Sequence, residues 1–90
     1  MKIRTIIKNL EKMENNREVL ANFFRLWTVP VVKMELKNLQ IHTITGKAND
    51  KGMTVRDAIN FLKCLDKNIN WQPITKVIKF NEWCVLMINN

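Results

Sequence analysis

VVKMELKNLQIHTIT, residues 31–45, decides the fold. Val32, Met34 and Leu36 alternate with Lys33, Glu35 and Lys37, the period of two that an extended chain with one covered face requires. At Asn38 the phase slips by one, and Leu39, Ile41 and Thr43 carry the alternation onward. A strand cannot slip by one residue without turning its side chains to the opposite face. Asn38 therefore marks a tight turn or a bulge. The stretch is expected to form a hairpin turning at Lys37-Asn38, a weaker two-residue turn than Asn-Gly. A single bulged strand is the alternative.

Toward the C-terminus, Gly46 to Gly52 is a polar loop, and Thr54 with Asp57 three residues on is a variant of the capping box. Val55, Ala58, Ile59, Leu62 and Leu65 then make one apolar face of a helix over residues 55–66, ended by Asn68 and Asn70. In the tail, Ile74, Ile78 and Phe80 alternate with Thr75, Val77 and Lys79, Asn81-Glu82 is a turn, and Trp83 to Ile88 is nearly all apolar, as a buried central strand would be.

Toward the N-terminus, Ile3, Ile6, Ile7, Leu10 and Met13 recur at helical spacing, and Leu20, Phe23, Phe24 and Trp27 continue almost the same stripe. Glu14-Asn15-Asn16-Arg17 interrupts it. Residues 2–27 are thus expected to form two helices with a short break, Asn15 or Asn16 capping the second, or one long bent helix. Pro30 closes the segment. The order α-α-β-β-α-β-β predicts a small single α+β domain over residues 1–90, its helices packed on one face of an antiparallel sheet.

Ninety residues allow one domain, and a hydrophobic fraction of 47% gives it a core and argues against disorder. A homodimer would enlarge that core. Fifteen Lys and Arg against eight Asp and Glu leave a net charge of +7. The isoelectric point of about 9.8 is of the kind found in nucleic-acid-binding domains. Two cysteines, Cys64 and Cys84, are too few for the disulfide framework of a short secreted chain. Charges at Lys2, Arg4 and Lys8 break any signal-peptide core. No apolar run is long enough to span a membrane. The expected location is the cytoplasm. Abundant Lys, Asn and Ile with no Tyr suit an A/T-rich genome, such as that of a phage, in which case the host cytoplasm is meant.

Catalytic groups are scarce. His42, the only histidine, lies in the extended segment without a partner at a recognisable spacing and is expected at the surface. Cys64 and Cys84 are expected to be packing residues. Together with His42 they make three scattered candidates where a structural zinc site needs about four. Asp50, Asp57 and Asp66 form no paired-carboxylate pattern. Gly46 to Thr54 is not a phosphate-binding P-loop, because no lysine stands between Gly52 and Thr54. The chain is accordingly read as no enzyme, with no metal and no cofactor.

The positive charge falls in patterns. Arg56, Asn60, Lys63 and Lys67 share a stripe of the third helix, and Arg4 and Lys8, with Lys12, repeat it more weakly on the first. Lys47 and Lys51 flank the loop before a helix N-terminus, where backbone N–H groups favour phosphate. Trp71, in a polar loop beside Lys67, is the expected stacking residue, whereas Trp27 and Trp83 continue apolar patterns and are expected in the core. Arg56, Lys63, Lys67, Lys47, Lys51, Trp71, Arg4 and Lys8 together predict a nucleic-acid-binding protein, RNA ahead of DNA, and a regulator if phage-encoded. The alternative is an inhibitor or antitoxin-like factor whose basic face docks on an acidic protein such as a toxin or defence nuclease. Glu11, Glu14 and Glu18 argue against a membrane surface as partner.

Overall fold

Ile3, Ile6, Ile7 and Leu10 do form a helix, α1 (Ile3–Glu11), and all four are buried. The helix ends there. Lys12 caps it, and a turn closes with the Arg17 N–H donating to the Glu14 carbonyl at 3.2 Å. In the computed structural model, which describes residues 1–89, the chain continues as β1 (Glu18–Phe23), β2 (Trp27–Lys37), β3 (Gln40–Thr45), α2 (Val55–Lys63), β4 (Ile74–Phe80) and β5 (Trp83–Ile88). The described residues are a mixed α and β domain with two helices and one five-stranded sheet.

The second helix expected within residues 2–27 is the strand β1 and the start of β2. Leu20, Phe23, Phe24 and Trp27 do sit at helical spacing, but Val19 and Ala21 are the fully buried pair, two apart. β1 is the middle strand in the order β3-β2-β1-β5-β4. Leu20, on the face opposite Val19 and Ala21, makes with them a short apolar run, Val19-Leu20-Ala21, whose period alone cannot separate it from a helix.

The sheet is mixed, which corrects the antiparallel expectation. Three hairpin pairings, β1 with β2, β2 with β3 and β4 with β5, are antiparallel, but β5 runs parallel to β1 with Val19 opposite Cys84 and Ala21 opposite Leu86. The connection through α2 crosses from one edge strand, β3, to the other, β4, so β5 returns beside β1 in the same direction. Pro30 does not close a helix; it sits inside β2. Its carbonyl accepts from the Gly46 N–H at 2.9 Å, on the side where β3 has already ended. The missing proline donor therefore falls outside the β1–β2 ladder.

Residues 31–45 contain the expected hairpin, with its turn one residue later, at Asn38-Leu39, both in the left-handed region (φ 53° and 61°). A bulge is also present, between Val31 and Lys33. There β1 and β2 part, and the Met53 main chain fills the gap, donating to the Val31 carbonyl at 2.7 Å and accepting from the Val19 N–H at 2.8 Å. Next to it, Gly52 approaches so closely that a Cβ would lie 2.7 Å from the Val19 carbonyl oxygen. The turn expected at Asn81-Glu82 forms between β4 and β5.

One buried cluster unites Ile3, Ile6, Ile7 and Leu10 of α1 with Val55, Ala58, Ile59 and Leu62 of α2. Val19, Ala21, Cys84, Leu86 and Ile88 of the sheet join it. The residues between them, Leu20, Asn22, Val85 and Met87, do not.

Candidate nucleic-acid interface

The two basic stripes meet. α1 and α2 pack against each other, and Arg4 and Lys8 of the first face Lys63 and Lys67 across a concavity of about 460 Å³ that also contains Ile7 and Glu11. A second concavity of similar size brings Arg56, Asn60 and Lys63 together with Glu11, Asn15 and Ile59. Five cations thus border two adjoining hollows that share Lys63 and Glu11.

Local chemistry places them. α2 begins at Thr54, whose hydroxyl accepts from the Asp57 N–H at 3.2 Å, the cap the sequence predicts. The helix is a turn shorter than expected, with Cys64 as its C-cap. Lys67 therefore lies beyond the helix, and its place in the groove has another cause. The carbonyls of Lys67 and Ile69 accept from the N–H groups of Arg4 and Ile3, at 3.1 and 2.9 Å, which ties the turn after α2 to the start of α1. Arg4 also donates to the Asn68 side chain at 3.0 Å. Lys63 pairs with Glu11 at 3.2 Å. Among the described residues, Arg4, Lys8, Arg56 and Lys67 have no carboxylate within ion-pair distance.

Lys47 and Lys51 do not join this groove. Lys51 borders a separate hollow with Arg17 and three carboxylates, Glu14, Glu18 and Glu82. Arg17 bonds Glu14, and that hydrogen bond holds the Glu14 carboxyl below its ordinary range. The Lys47 backbone N–H donates to Asp50 at 2.8 Å. Nor does the α2 N-terminus offer open donors: Val55 N–H goes to the Arg17 carbonyl at 2.8 Å, Arg56 N–H to the Asn15 carbonyl at 3.0 Å, and Asp57 N–H to Thr54. The main-chain donors expected to hold phosphate at this helix end are thus taken by the protein's own oxygens.

The tryptophans reverse their expected places. Trp71 is 5% exposed and belongs to the buried cluster, so its ring offers no open stacking surface. Trp27 is 56% exposed, and Trp83 is half-buried on the sheet face away from the cluster. Sequence reading missed that face, although β5 advertised it: six successive apolar residues cannot all point at one core.

His42 is exposed on the edge strand β3. Cys84 is buried, and burial pushes its thiol up to about 12, whereas Cys64 is exposed, not packed, and donates to the Asn60 carbonyl at 3.3 Å. Among the described residues no group of three His, Cys, Asp or Glu could hold a metal ion, and no helix is long and apolar enough to cross a membrane. No protein-family model, curated protein or solved structure matches the chain.

Proposed function

We propose that this chain is a non-catalytic nucleic-acid-binding protein, with RNA as the favoured ligand, and that it holds phosphates along the groove between α1 and α2. The observation that carries this reading is the convergence of Arg4 and Lys8 with Arg56, Lys63 and Lys67, residues some fifty positions apart in the sequence, around a groove in which, among the described residues, Glu11 is the one carboxylate. Like charges brought together weaken the fold slightly, and a polyanion lying between the helices would relieve that repulsion. With Trp71 buried, no tryptophan borders the groove, so contacts fall on the backbone rather than on stacked bases. That favours recognition of a folded RNA by its shape and phosphate spacing. Both helices would lie on one face of the sheet and carry this groove on their outer side.

Fluorescence anisotropy with a labelled RNA hairpin, a single-stranded RNA and a DNA duplex over a range of salt tests the proposal. Affinity falling linearly with salt on logarithmic axes, strongest for the hairpin, is the expected result. Replacing Arg56, Lys63 and Lys67 together by Glu should weaken binding by at least about a hundredfold while the circular dichroism spectrum is unchanged. If none of the three ligands binds at low salt, the groove serves an acidic protein instead.

A further inference from the structure

The sheet residues outside the buried cluster form three registered rows. Glu18, Trp83 and Phe80 stand side by side at one end. Pro30, Leu20, Val85 and Ile78 make the middle row, and Thr28, Asn22, Met87 and Lys76 the other end. A concavity of about 550 Å³ lies over most of them, and it shares no residue with the basic groove. Phe80, on its rim, is 55% exposed.

The charges on this face say what could cover it. The whole chain carries +7, yet the three rows contain one acid and one base, Glu18 and Lys76, at opposite ends. A nucleic acid is disfavoured, because the face itself offers one cation, Lys76, and the hollow at its Trp83 end sets three carboxylates, Glu14, Glu18 and Glu82, against two cations, Arg17 and Lys51. A strongly charged protein finds no opposite field there either.

We infer that this face docks a second copy of the chain, sheet against sheet, about a two-fold axis along the middle row. That operation turns one end row onto the other. Trp83 then meets the partner subunit's Met87, a sulfur–aromatic contact. Phe80 meets the partner subunit's Lys76, a cation–π contact. Glu18 meets the partner subunit's Asn22, an amide that can donate to it. In the middle row Pro30 and Val85 are already buried in the protomer, so Leu20 and Ile78, both half-buried, meet the partner's copy of that row, and no two like charges are opposed. The basic grooves, lined by α1 and α2, stay clear of this interface. The inference is independent of what those grooves bind.

Sedimentation equilibrium from about 1 to about 100 μM, the weak range expected of a small interface, tests it. The wild-type chain of 10.7 kDa should sediment at twice that mass at the upper end. Phe80→Lys sets a cation against the partner's Lys76 and should weaken the dimer by at least about tenfold. Phe80→Glu places an anion there and should leave the dimer within about threefold of wild type. Both changes fall on an exposed position of an edge strand, and protection of the buried Cys84 thiol verifies that each variant is folded. A wild-type monomer throughout the range overturns the inference. So does an equal effect of the two substitutions, which would remove the opposition of residues 80 and 76. A wild-type monomer in which Phe80→Ala abolishes RNA binding would also overturn it, assigning the face to nucleic acid.

Discussion

Leu39 is held against its own chemistry. It sits in the left-handed region at φ 61° and is 87% exposed, so its side chain gains almost no burial while its Cβ crowds the following carbonyl. Leu39→Gly creates Asn-Gly, the preferred pair for a two-residue hairpin turn. It should stabilise the protein by about 1 kcal/mol net, once the freer unfolded chain has offset part of the relieved strain. Thermal denaturation should read this as a midpoint about 4–8 °C higher. Cys84 is the opposite case, a side chain whose environment suits it fully. Burial raises its thiol from an ordinary value of 9.0 to about 12. Between those values the unfolded chain releases the proton and the folded chain keeps it, so the unfolded state binds fewer protons and stability falls as pH rises. The slope attributable to this thiol approaches about 1.4 kcal/mol per pH unit above 9. Denaturant titrations at pH 8 and pH 10 should show the loss, and Cys84→Ala should shrink it. At pH 8 a thiol reagent should label Cys64 rapidly and Cys84 only on unfolding.

α2 is the element whose cap and apolar face were both written in the sequence, and it also carries Arg56 and Lys63. Thr54→Ala removes the bond to the Asp57 N–H and should cost about 1 kcal/mol, a midpoint about 4–8 °C lower. The helix still folds with the domain, because Val55 and Arg56 keep their main-chain bonds to Arg17 and Asn15. Groove binding should therefore change little, and a loss of RNA affinity larger than about threefold in this variant would mean that the helix end itself contacts the ligand. Elements with one buried face, such as α2 and the β2–β3 hairpin, were legible because polar residues alternate with apolar ones at a single period. β1 was not: Val19-Leu20-Ala21 sets apolar residues on both faces, so its period is masked, and its pairing with β5 spans more than sixty residues that no local pattern reports. The basic stripes were legible as stripes. Their convergence was not, because it depends on main-chain bonds from Ile3 and Arg4 to the turn after α2. The tryptophans misled for a related reason. Neighbouring residues decide which sequence motif a tryptophan belongs to, but burial is decided by packing, and Trp71 enters the core from a polar stretch.

For the molecule as a whole the deciding quantity is how charge is distributed between its surfaces. Five of the fifteen cations border the α1–α2 groove, and among the described residues the one carboxylate set within it is Glu11, paired with Lys63. Both partners are substantially exposed, so the pair contributes little to stability. On the proposed function its effect would fall on ligand binding, because Glu11 occupies one cation and would repel phosphate in both hollows. Glu11→Gln keeps the shape, frees Lys63 and raises the net charge by one. Stability to denaturant should stay within about 0.5 kcal/mol of wild type. RNA affinity at low salt should rise several-fold, and the logarithmic salt dependence should steepen by about one as Lys63 becomes available to another phosphate. Few substitutions in a protein are expected to improve binding, which makes the sign of this one informative. A polyanion anywhere else on the surface would respond to one added unit of net charge with a small, uniform gain and an unchanged slope. A steeper slope in Glu11→Gln, together with its collapse in the Arg56, Lys63 and Lys67 triple substitution, would locate the ligand between the helices by two changes of opposite sign.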